Sequence, residues 1–480
     1  ETVEDVHNFI NTEVKEGLQK ETDELYEKMK SQPGLYNIKD IDEQIAYRLG
    51  VAVVKYLNAE CLVVGGDNRL STPSLKLALI KGIKNGGCNV IDIGVCGTEE
   101  LTFANTISQA DGGIMITGGS QPKVFNGFKI VDEKNQFICQ KKHFDILQQS
   151  ILHHEPPMPK QAGKLVYQNY IKSYVQQVLS FIQTEKIKPL RIVVNAGNGM
   201  AGNVMNALES AFLAQQIPIQ LIKLNNQPDG EFPHGAPNPE LPHHQRKTSD
   251  AVKRHHADFG LAWDGDFSRC FFFDAQGNLV EHYYIIALLA QQFATKQPAQ
   301  KIVHDSRLMW NTVDTVSKLG GETIECHTGQ MPMAHLMRQE HAVYAGATDA
   351  HHYFKDFFYC ESSMIPWLMV CELISTTNNS LSDLINQQML DYPTSGEIDS
   401  KITQSKTLLS DIEEQLAAQA LEIKHTNGLM MSFRNWRFSL CQSSPHSSLK
   451  LNVESRGDVA LVQQQTNYLM QIIQGAKALI

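Results

Sequence analysis

The sequence predicts an α/β fold made of three similar domains with mixed, largely parallel sheets, followed by a smaller C-terminal α+β domain. The chain has 480 residues, which is enough for three or four domains of ~100–200 residues each. Hydrophobic residues make up 42% and charged residues 20% of the sequence, which is typical of a globular protein and argues against disorder. A pattern of strand, polar loop and helix occurs three times, and strands that alternate with helices in this way form largely parallel sheets.

The first 32 residues predict an amphipathic helix that precedes the repeated pattern. Val3, Val6, Ile10, Val14 and Leu18 recur at steps of three and four residues among many Glu and Lys side chains, which is the spacing of one helix face. The turn-forming residues 31–34 end this pattern. Two interpretations stay open: a helix packed on the main body, or a helix that binds a partner protein or a second copy of the chain.

The three repeats begin and end alike. Each begins with a β-branched strand that leads through a polar loop into a helix, at residues 61–67, 191–197 and 301–305. Each ends with a strand followed by a polar loop, at residues 113–122, 259–269 and 342–352. Three similar units that each project one loop are expected to share a cleft.

The chain beyond about residue 390 differs from the repeats. It has two helical stretches around an aromatic segment with Phe433, Trp436 and Phe438, and a strand over residues 449–454, which indicates a smaller α+β domain. The predicted boundaries are a helical extension over residues 1–32 and domains over residues 33–156, 157–280, 281–388 and 389–480.

Charge and cysteine usage exclude several classes of protein. Lys and Arg number 42 against 52 Asp and Glu, for a formal net charge of −10, whereas nucleic acid and anionic membranes require a basic face. The nine scattered cysteines form no CxxC pair, so neither a disulfide framework nor structural zinc is expected, and a reduced, cytoplasmic protein is predicted. The longest apolar stretch, residues 364–374, is too short to span a membrane.

A glycine motif in the second repeat resembles a dinucleotide-binding fingerprint. Gly197, Gly199 and Gly202 have the spacing GxGxxG after a strand. The next strand, residues 219–224, ends in Asn225 and not in the acidic residue that would bind a ribose hydroxyl. We therefore interpret the motif as a tight turn with close helix–strand packing.

Two of the polar loops carry candidate chemistry. Asp264 and Asp266 follow a strand and could bind one Mg²⁺ together, with Arg269 beside them as a phosphate ligand; the alternative is an ordinary Asp-Gly turn. The loop over residues 117–122 has small residues whose backbone N–H groups could approach a phosphate. Ser120 is its plausible nucleophile, although no His or basic residue adjoins it.

The third loop contains the pair His351 and His352. Adjacent residues on a strand point to opposite faces, so the two imidazoles are not expected to share one metal ion. We expect one to face the cleft and the other to be packed in the interior.

With these loops, the chain resembles the α-D-phosphohexomutase family, in particular its bacterial phosphomannomutase/phosphoglucomutase branch. The resemblance extends over about residues 36–475 and includes connecting sequence at residues 76–79, 228–230, 237–239, 310–314 and 451–458. It implies four domains around one cleft. It also implies transfer of phosphate between the C1 and C6 hydroxyls of a sugar through a phosphoserine, Mg²⁺ at the Asp loop, and a bisphosphorylated intermediate.

The sequence departs from the family pattern at the nucleophile and at the metal loop. Where the family reads Thr-Ala-Ser-His-Asn-Pro, residues 117–122 read Thr-Gly-Gly-Ser-Gln-Pro, so Gly119 occupies the phosphoserine position and Ser120 is a possible displaced nucleophile. The resemblance leaves Lys129 and His351 as acid/base candidates. Asp264 and Asp266 remain as metal ligands, while Ser268 replaces the third aspartate, so the resemblance implies that Mg²⁺ binding is possible but weak.

Further departures affect the groups that bind the sugar and its distal phosphate. The family's sugar-binding Glu and Ser are Ala347 and Asp349 here, and the phosphate loop begins with Cys441 in place of an Arg. A loop without a guanidinium loses bidentate pairing with phosphate. The substrate-binding candidates that the resemblance leaves are Arg269, Arg307, Asp349 and His351.

Because nucleophile, metal, sugar-binding and phosphate-binding positions are all affected, the sequence predicts a pseudoenzyme that acts as a binding, scaffold or structural component. One alternative is an active phosphohexomutase with an altered site, which either uses Ser120 as a displaced nucleophile or takes a changed substrate whose smaller anionic group is bound by Ser443, Ser444 and Ser447. A second is a non-catalytic sugar-phosphate sensor that binds through Lys129, Arg269 and Arg307. The expected partners are a sugar phosphate and, through residues 1–32, a protein or a second copy.

Overall fold

The structure, a computed structural model, describes residues 36–37, 41–138, 141–152, 161–297, 299–326, 330–401, 405–425, 428–443 and 448–478. The helix predicted over residues 1–32 lies outside them. The predicted fold class is confirmed: three α/β units with mixed, largely parallel sheets are followed by an antiparallel α+β unit. We call these units domains 1 to 4, each defined by its sheet.

Domain 1 is built on a five-stranded sheet of order β6-β4-β2-β3-β7, in which only β6 is antiparallel to its neighbour. Leu62 and Val64 point to one face of the sheet and Val63 to the other, and all three are buried because helices cover both faces. Its elements are β1 (Tyr36–Asn37), α1 (Glu43–Leu57), β2 (Cys61–Gly66), α2 (Thr72–Asn85), β3 (Asn89–Val95), α3 (Thr98–Ser108), β4 (Gly112–Ile116), β5 (Phe125–Asn126), β6 (Phe128–Asp132), α4 (Lys141–Leu152) and β7 (Leu165–Tyr167).

Domain 2 has a four-stranded sheet of order β11-β10-β8-β9, with β11 antiparallel at one edge. The GxGxxG motif acts here as a close-packing device, since a Cβ on Gly202 would lie 1.7 Å from the carbonyl oxygen of Asn226. Its elements are α5 (Ile171–Leu179), β8 (Leu190–Asn195), α6 (Ala201–Gln215), β9 (Ile219–Leu224), α7 (Pro242–His255), β10 (Phe259–Trp263) and β11 (Cys270–Phe273).

Domain 3 has a five-stranded sheet of order β13-β12-β14-β15-β16. The apolar segment around Trp367 is a buried helix, α11, whose side chains join one hydrophobic cluster with those of domain 2. None of the helices in the described part of the chain is long and apolar enough to cross a membrane. The elements are α8 (His282–Lys296), β12 (Lys301–Asp305), α9 (Trp310–Lys318), β13 (Glu322–Cys326), α10 (Gln330–Glu340), β14 (Tyr344–Gly346), β15 (His352–Phe354), β16 (Cys360–Glu361), α11 (Met364–Thr377) and α12 (Leu381–Asp391).

Domain 4 is a wholly antiparallel sheet of order β17-β21-β20-β19-β18. Phe433 and Trp436 stack with ring centroids 4.3 Å apart and anchor its own core. Its elements are β17 (Ile398–Lys401), α13 (Ser405–Leu416), β18 (Glu422–Lys424), β19 (Gly428–Ser432), β20 (Trp436–Ser443), β21 (Ser448–Ser455) and α14 (Val459–Ala478).

Candidate active site

The loop after β4, residues 117–125, is fixed by a buried arginine. Arg69 is 1% exposed, and its Nε donates to Asp67 Oδ2 at 3.1 Å. Its two terminal nitrogens donate to four loop carbonyls at 2.8–3.1 Å, those of Gly119, Gln121, Pro122 and Phe125. Asp67 also accepts from the Thr117 hydroxyl at 2.9 Å. These hydrogen bonds therefore hold the backbone on both sides of Ser120 in one conformation.

This loop lies against residues 264–269 of domain 2, which connect β10 to β11 and which we call the Asp loop. Gly119 has φ +52°, and the nearest atom to a Cβ built there is Asp266 Oδ1 at 3.8 Å. A Cβ on Gly265 would lie 2.6 Å from the carbonyl oxygen of Gly119, so the two loops are in contact. The position that the family pattern assigns to the phosphoserine thus points at Asp266, with open space around it, and Ser120 follows in the same turn.

In the Asp loop, Asp264 accepts from the backbone N–H of Arg269 at 3.2 Å and from its Nε at 3.0 Å. Ser268 donates to both aspartates, at 3.2 Å to Asp264 and 3.1 Å to Asp266. Arg269 also pairs with Glu240 at 2.7 Å. Burial raises the pKa of Asp264, although the Arg269 charge opposes the shift.

Asp266 has its own cation. Lys129 Nζ lies 2.8 Å from its Oδ2, and Thr98 donates to the same oxygen at 2.6 Å. Burial alone would raise the pKa of Asp266, but the Lys129 charge and these hydrogen bonds lower it well below the ordinary range. Burial would lower the pKa of Lys129, but Asp266 and Glu361 raise it, so Lys129 is charged at neutral pH.

The Mg²⁺ site that the resemblance implies does not fit the residues present. Mg²⁺ requires an octahedral set of oxygen ligands, but all four carboxylate oxygens of Asp264 and Asp266 already accept hydrogen bonds, two of them from cationic side chains. Ser268 donates a proton where the family has a carboxylate. Within the described ranges, no group of three or more His, Cys, Asp or Glu side chains could hold a metal ion.

The second cluster surrounds His351. Its Nδ1 lies 3.1 Å from Asp349 Oδ1 and its Nε2 lies 3.7 Å from Glu361 Oε2. Burial would lower the pKa of His351, but the two carboxylates raise it. The neighbouring His352 is buried, with Nδ1 2.7 Å from the hydroxyl of Tyr344. Glu361 also interacts electrostatically with Lys129, so it connects this cluster to the Asp loop.

Arg307 extends the second cluster toward domain 4. It is held by Asp305, and it reaches Glu397 at 3.1 Å and Asp349 at 3.9 Å. Lys450 Nζ lies 2.5 Å from the other oxygen of Glu397. Glu397 is therefore shared by two cations at the junction of domains 3 and 4.

Lys450 lies directly opposite Cys441 in the β20–β21 pair, so the two side chains share one face of the sheet. On the same face, Arg437 donates to the carbonyl oxygens of Ser306 and Arg307 at 2.9 and 3.0 Å. The strand position where the family has an arginine thus has a lysine across from it. The segment 444–447, with Ser444 and Ser447, lies outside the described residues, and the side chain of Ser443 is not described.

The structure brings the sequence-predicted residues into two groups. Gly119, Lys129, Asp264, Asp266 and Arg269 form the first, and Arg307, Asp349 and His351 form the second. Sequence reasoning missed four residues that complete these groups, namely Thr98, Glu361, Glu397 and Lys450. The sequence has one repeat near the site, Asp67-x-Arg69 after β2 and Asp305-x-Arg307 at the end of β12, but it does not point to these four residues.

Sequence models of the phosphoglucomutase/phosphomannomutase family match the chain with three α/β/α domains: domain I over residues 30–153, domain II over residues 168–277 and domain III over residues 281–392. Among curated proteins, the chain is similar to a phosphomannomutase of Escherichia coli (strain K12), with 42% identity over 437 residues, which cover 91% of this chain and 96% of that protein.

Solved structures share the fold. A phosphoglucomutase/phosphomannomutase family protein from Burkholderia thailandensis superposes with a TM-score of 0.80 at 23% identity, covering 93% of this chain and 98% of that one. An N-acetylphosphoglucosamine mutase from Aspergillus fumigatus, solved in complex with GlcNAc-6P and magnesium, has a TM-score of 0.52 at 10% identity, covering 86% of this chain and 82% of that one. At these identities the likeness concerns the fold.

The prediction that the chain has lost mutase catalysis is wrong. It rested on single positions such as Gly119 and Cys441, whereas 42% identity to a phosphomannomutase extends over 91% of the chain. The physical reason is that the surroundings of these positions are kept. The loop with Ser120 still contacts the Asp loop, and Lys450 lies opposite Cys441. The alternative of an active phosphohexomutase with an altered site therefore has the better support.

Proposed function

The chain belongs to the phosphoglucomutase/phosphomannomutase family, and from this premise we propose that it is an active phosphohexomutase. It would move phosphate between the C1 and C6 oxygens of a hexose, with mannose phosphates as its first substrates. The observation that carries the proposal is the contact of the loop 117–122 with Asp266, beside the charged groups of Lys129 and Arg269. Phosphoryl transfer depends mainly on positioning and on charge stabilisation, and this contact supplies both.

We assign the phosphate-carrying role to Ser120. Gly119 has no side-chain oxygen, and Ser120 is the next residue of the turn that Arg69 fixes. In the first half of the reaction, a sugar hydroxyl oxygen forms a bond to phosphorus while the bond from phosphorus to Ser120 Oγ breaks. In the second half, Ser120 Oγ forms a bond to the other phosphorus of the hexose bisphosphate while the bond from that phosphorus to the sugar oxygen breaks. A hexose bisphosphate supplies the phosphate that first loads Ser120. Between the two halves, the bisphosphate intermediate turns around in the site and presents its other phosphate to Ser120.

Two groups are suited to the proton transfers. His351 accepts the proton of the attacking sugar hydroxyl, and the Asp349 and Glu361 carboxylates stabilise the imidazolium that forms. Lys129 is charged and gives a proton to Ser120 Oγ as that oxygen leaves phosphorus. The reverse step returns both protons, so the cycle balances. No step is assigned to a divalent cation, because the donor set does not fit one.

The phosphate that does not react would bind at the junction of domains 3 and 4. Arg307 and Lys450 both contact Glu397 there, and an incoming phosphate dianion would compete with this carboxylate for the two cations. Asp349 would contact the sugar between the two ends, and Arg269 would bind the transferring phosphate of the substrate. The lost arginine at Cys441 is thus replaced in function by Lys450 on the neighbouring strand.

We also propose a cytoplasmic location, supported by the eight described cysteines, all of which are free thiols, as expected in a reducing compartment. A sugar phosphate is the proposed ligand. Docking through residues 1–32 stays a prediction, tested by removing these residues and measuring the size of the particle in solution.

The test is a coupled assay with mannose 1-phosphate and glucose 1-phosphate in the presence of a catalytic amount of the hexose 1,6-bisphosphate. We expect turnover, and we expect intact mass to show one added phosphate that peptide mapping places on Ser120. Ser120→Ala should lose both. If neither mannose 1-phosphate nor glucose 1-phosphate were turned over, the proposed function would be overturned.

Gly119→Ser is the matched variant for the nucleophile assignment. The space at Gly119 is open, but φ +52° costs a non-glycine residue ~1 kcal/mol, so the protein should fold with slightly lower stability. If Ser120 carries the phosphate, the hydroxyl that this substitution adds at position 119 should not rescue Ser120→Ala to wild-type phosphorylation. Full rescue would transfer the assignment to position 119.

A further inference from the structure

Each aspartate of the Asp loop is already paired with a cation of the protein itself. Asp264 is paired with Arg269 at 3.0 Å and Asp266 with Lys129 at 2.8 Å. These groups are buried: the side chains of Asp264 and Asp266 are 2% and 0% exposed, and those of Arg269 and Lys129 are 10% and 15% exposed. A further cation at this site would have to displace the side-chain cation that each aspartate already has.

Ser268 determines how many carboxylates the loop offers. A carboxylate at position 268 would be a third one in the loop, without a side-chain cation of its own, and its negative charge would attract a divalent cation. The hydroxyl that is present instead donates to Asp264 at 3.2 Å and to Asp266 at 3.1 Å, so it uses carboxylate oxygens that a metal would need. Gly119 offers no side-chain oxygen from the facing loop.

We propose that Lys129 and Arg269 are the resident cations of this site, that Ser268 selects them over a divalent metal, and that this chain transfers phosphate without Mg²⁺. The kinetic part of this inference rests on the proposed function. The charges of Lys129 and Arg269 are in place before the transfer begins and stabilise the phosphoryl group without reorganisation. Lys129 gives up its proton only as Ser120 Oγ leaves phosphorus. The backbone of both residues is held by a sheet, since Lys129 lies on β6 and Arg269 directly precedes β11.

Metal binding is tested apart from activity. We would titrate the full chain with Mn²⁺, which prefers the same oxygen ligands as Mg²⁺, and follow free Mn²⁺ by electron paramagnetic resonance. The wild-type protein should bind no Mn²⁺ in the low millimolar range at this site. Ser268→Asp should bind Mn²⁺ about tenfold or more tightly than wild type, because affinity follows the number of charged ligands. Ser210→Asp, on the exposed face of α6, is the matched control and should behave as wild type.

Lys129→Met is the second variant, in case Ser268→Asp fails to fold. It removes the cation from Asp266, and it too should gain Mn²⁺ affinity, by about severalfold. Wild-type Mn²⁺ binding that Asp264→Asn abolishes would overturn the inference, as would failure of both Ser268→Asp and Lys129→Met to gain affinity.

The kinetic arm compares mutase turnover in excess chelator and in excess Mg²⁺. We expect the two rates to agree within about twofold, a difference of less than ~0.5 kcal/mol in the barrier. A loss of turnover in chelator that Mg²⁺ restores would overturn the inference while supporting the proposed function. Absence of turnover under both conditions would instead overturn the proposed function, and the Mn²⁺ titration would still decide which cations occupy the site.

Discussion

The same polar arrangement lies at the end of β2 in domain 1 and at the end of β12 in domain 3, but the two domains use it differently. Asp67 and Asp305 each accept from the backbone N–H and the Nε of the arginine two residues later, Arg69 or Arg307. Each also accepts from a threonine hydroxyl at 2.9 Å, that of Thr117 or Thr348. The repeated pattern in the sequence thus produces one local structure twice.

The difference lies in the remaining guanidinium nitrogens. Those of Arg69 donate to four neutral carbonyls of their own domain, whereas those of Arg307 face Asp305, Glu397 and Asp349. The carbonyls of the folded loop stay bound to Arg69. Glu397 is 34% exposed, and a ligand can displace its carboxylate from Arg307. The same arrangement therefore holds a loop in place in domain 1 and offers an exchangeable cation in domain 3.

Buried carboxylates between domains show a parallel difference. Glu99, on α3, accepts from the Tyr174 hydroxyl and from the backbone N–H of Ser363, and none of these partners is a cation. Glu454, on β21, lies 2.7 Å from the guanidinium of Arg437. Glu99 thus lacks the compensating cation that Glu454 has.

The largest expected effect separates the two arginines. Arg69→Met leaves Asp67 buried without its cation and four carbonyls without donors, and we expect a loss of ~3–5 kcal/mol in the free energy of unfolding. Arg307→Met also leaves a buried carboxylate, Asp305, without its cation, but it deprives no carbonyl of a donor. Its loss should therefore be smaller, since Glu397 and Asp349 are each about one-third exposed and can be solvated. Urea unfolding measures both; equal losses would mean that the two arginines have the same structural role.

The second effect is a dependence of stability on pH through Glu99. Burial raises the pKa of Glu99 from 4.5 to about 8, although the hydrogen bonds from Tyr174 and Ser363 oppose the shift. The folded state therefore holds this proton more tightly than the unfolded state, and the resulting stability is complete below pH 4.5 and lost as pH rises to about 8. Compared with Glu99→Gln, the wild-type protein should lose ~3 kcal/mol more between pH 5 and 8.

Glu100 complicates this measurement and also provides its control. Burial raises its pKa to about 7, so it acts in the same direction, and Glu99→Gln should reduce the pH dependence without abolishing it. Glu133→Gln, an exposed substitution in the same domain, should leave the wild-type profile unchanged. If Glu99→Gln followed the wild-type curve, Glu99 would not be the group that titrates.

The third effect tests whether the cations of domain 3 are exchangeable. Glu397→Gln removes the carboxylate that Arg307 and Lys450 share, and inorganic phosphate should bind about fivefold more tightly, which corresponds to ~1 kcal/mol. Isothermal titration calorimetry measures this without any need for turnover. Glu322→Gln, an exposed position of the same domain, is the control, and unchanged affinity in Glu397→Gln would contradict the assignment of this junction to phosphate.

The sequence predicted what is encoded locally. Hydrophobic strands, polar loops at their ends and the pairing of Arg269 with Asp264, five residues away, follow from short stretches of chain. Glu397 and Lys450 could not be found in this way, because their approach to Arg307 depends on how domain 4 docks on domain 3. The wrong prediction about catalysis has the same origin, because the sequence around Cys441 does not show that Lys450 lies opposite it in β21.

The smallest expected effect concerns the ion pair that links the loop after Ser120 to domain 2. Lys123 and Glu231 lie 2.9 Å apart, but their side chains are 52% and 59% exposed, and an exposed pair contributes at most ~0.5 kcal/mol. Lys123→Ala should therefore change the unfolding midpoint by little and leave phosphorylation of Ser120 unchanged, because Arg69 and not this pair fixes the loop. A large loss of phosphorylation in Lys123→Ala would show that the surface pair positions the nucleophile. It would then be wrong that Arg69 alone holds the loop of domain 1 in place, and the contrast with the exchangeable charges of domain 3 would not hold.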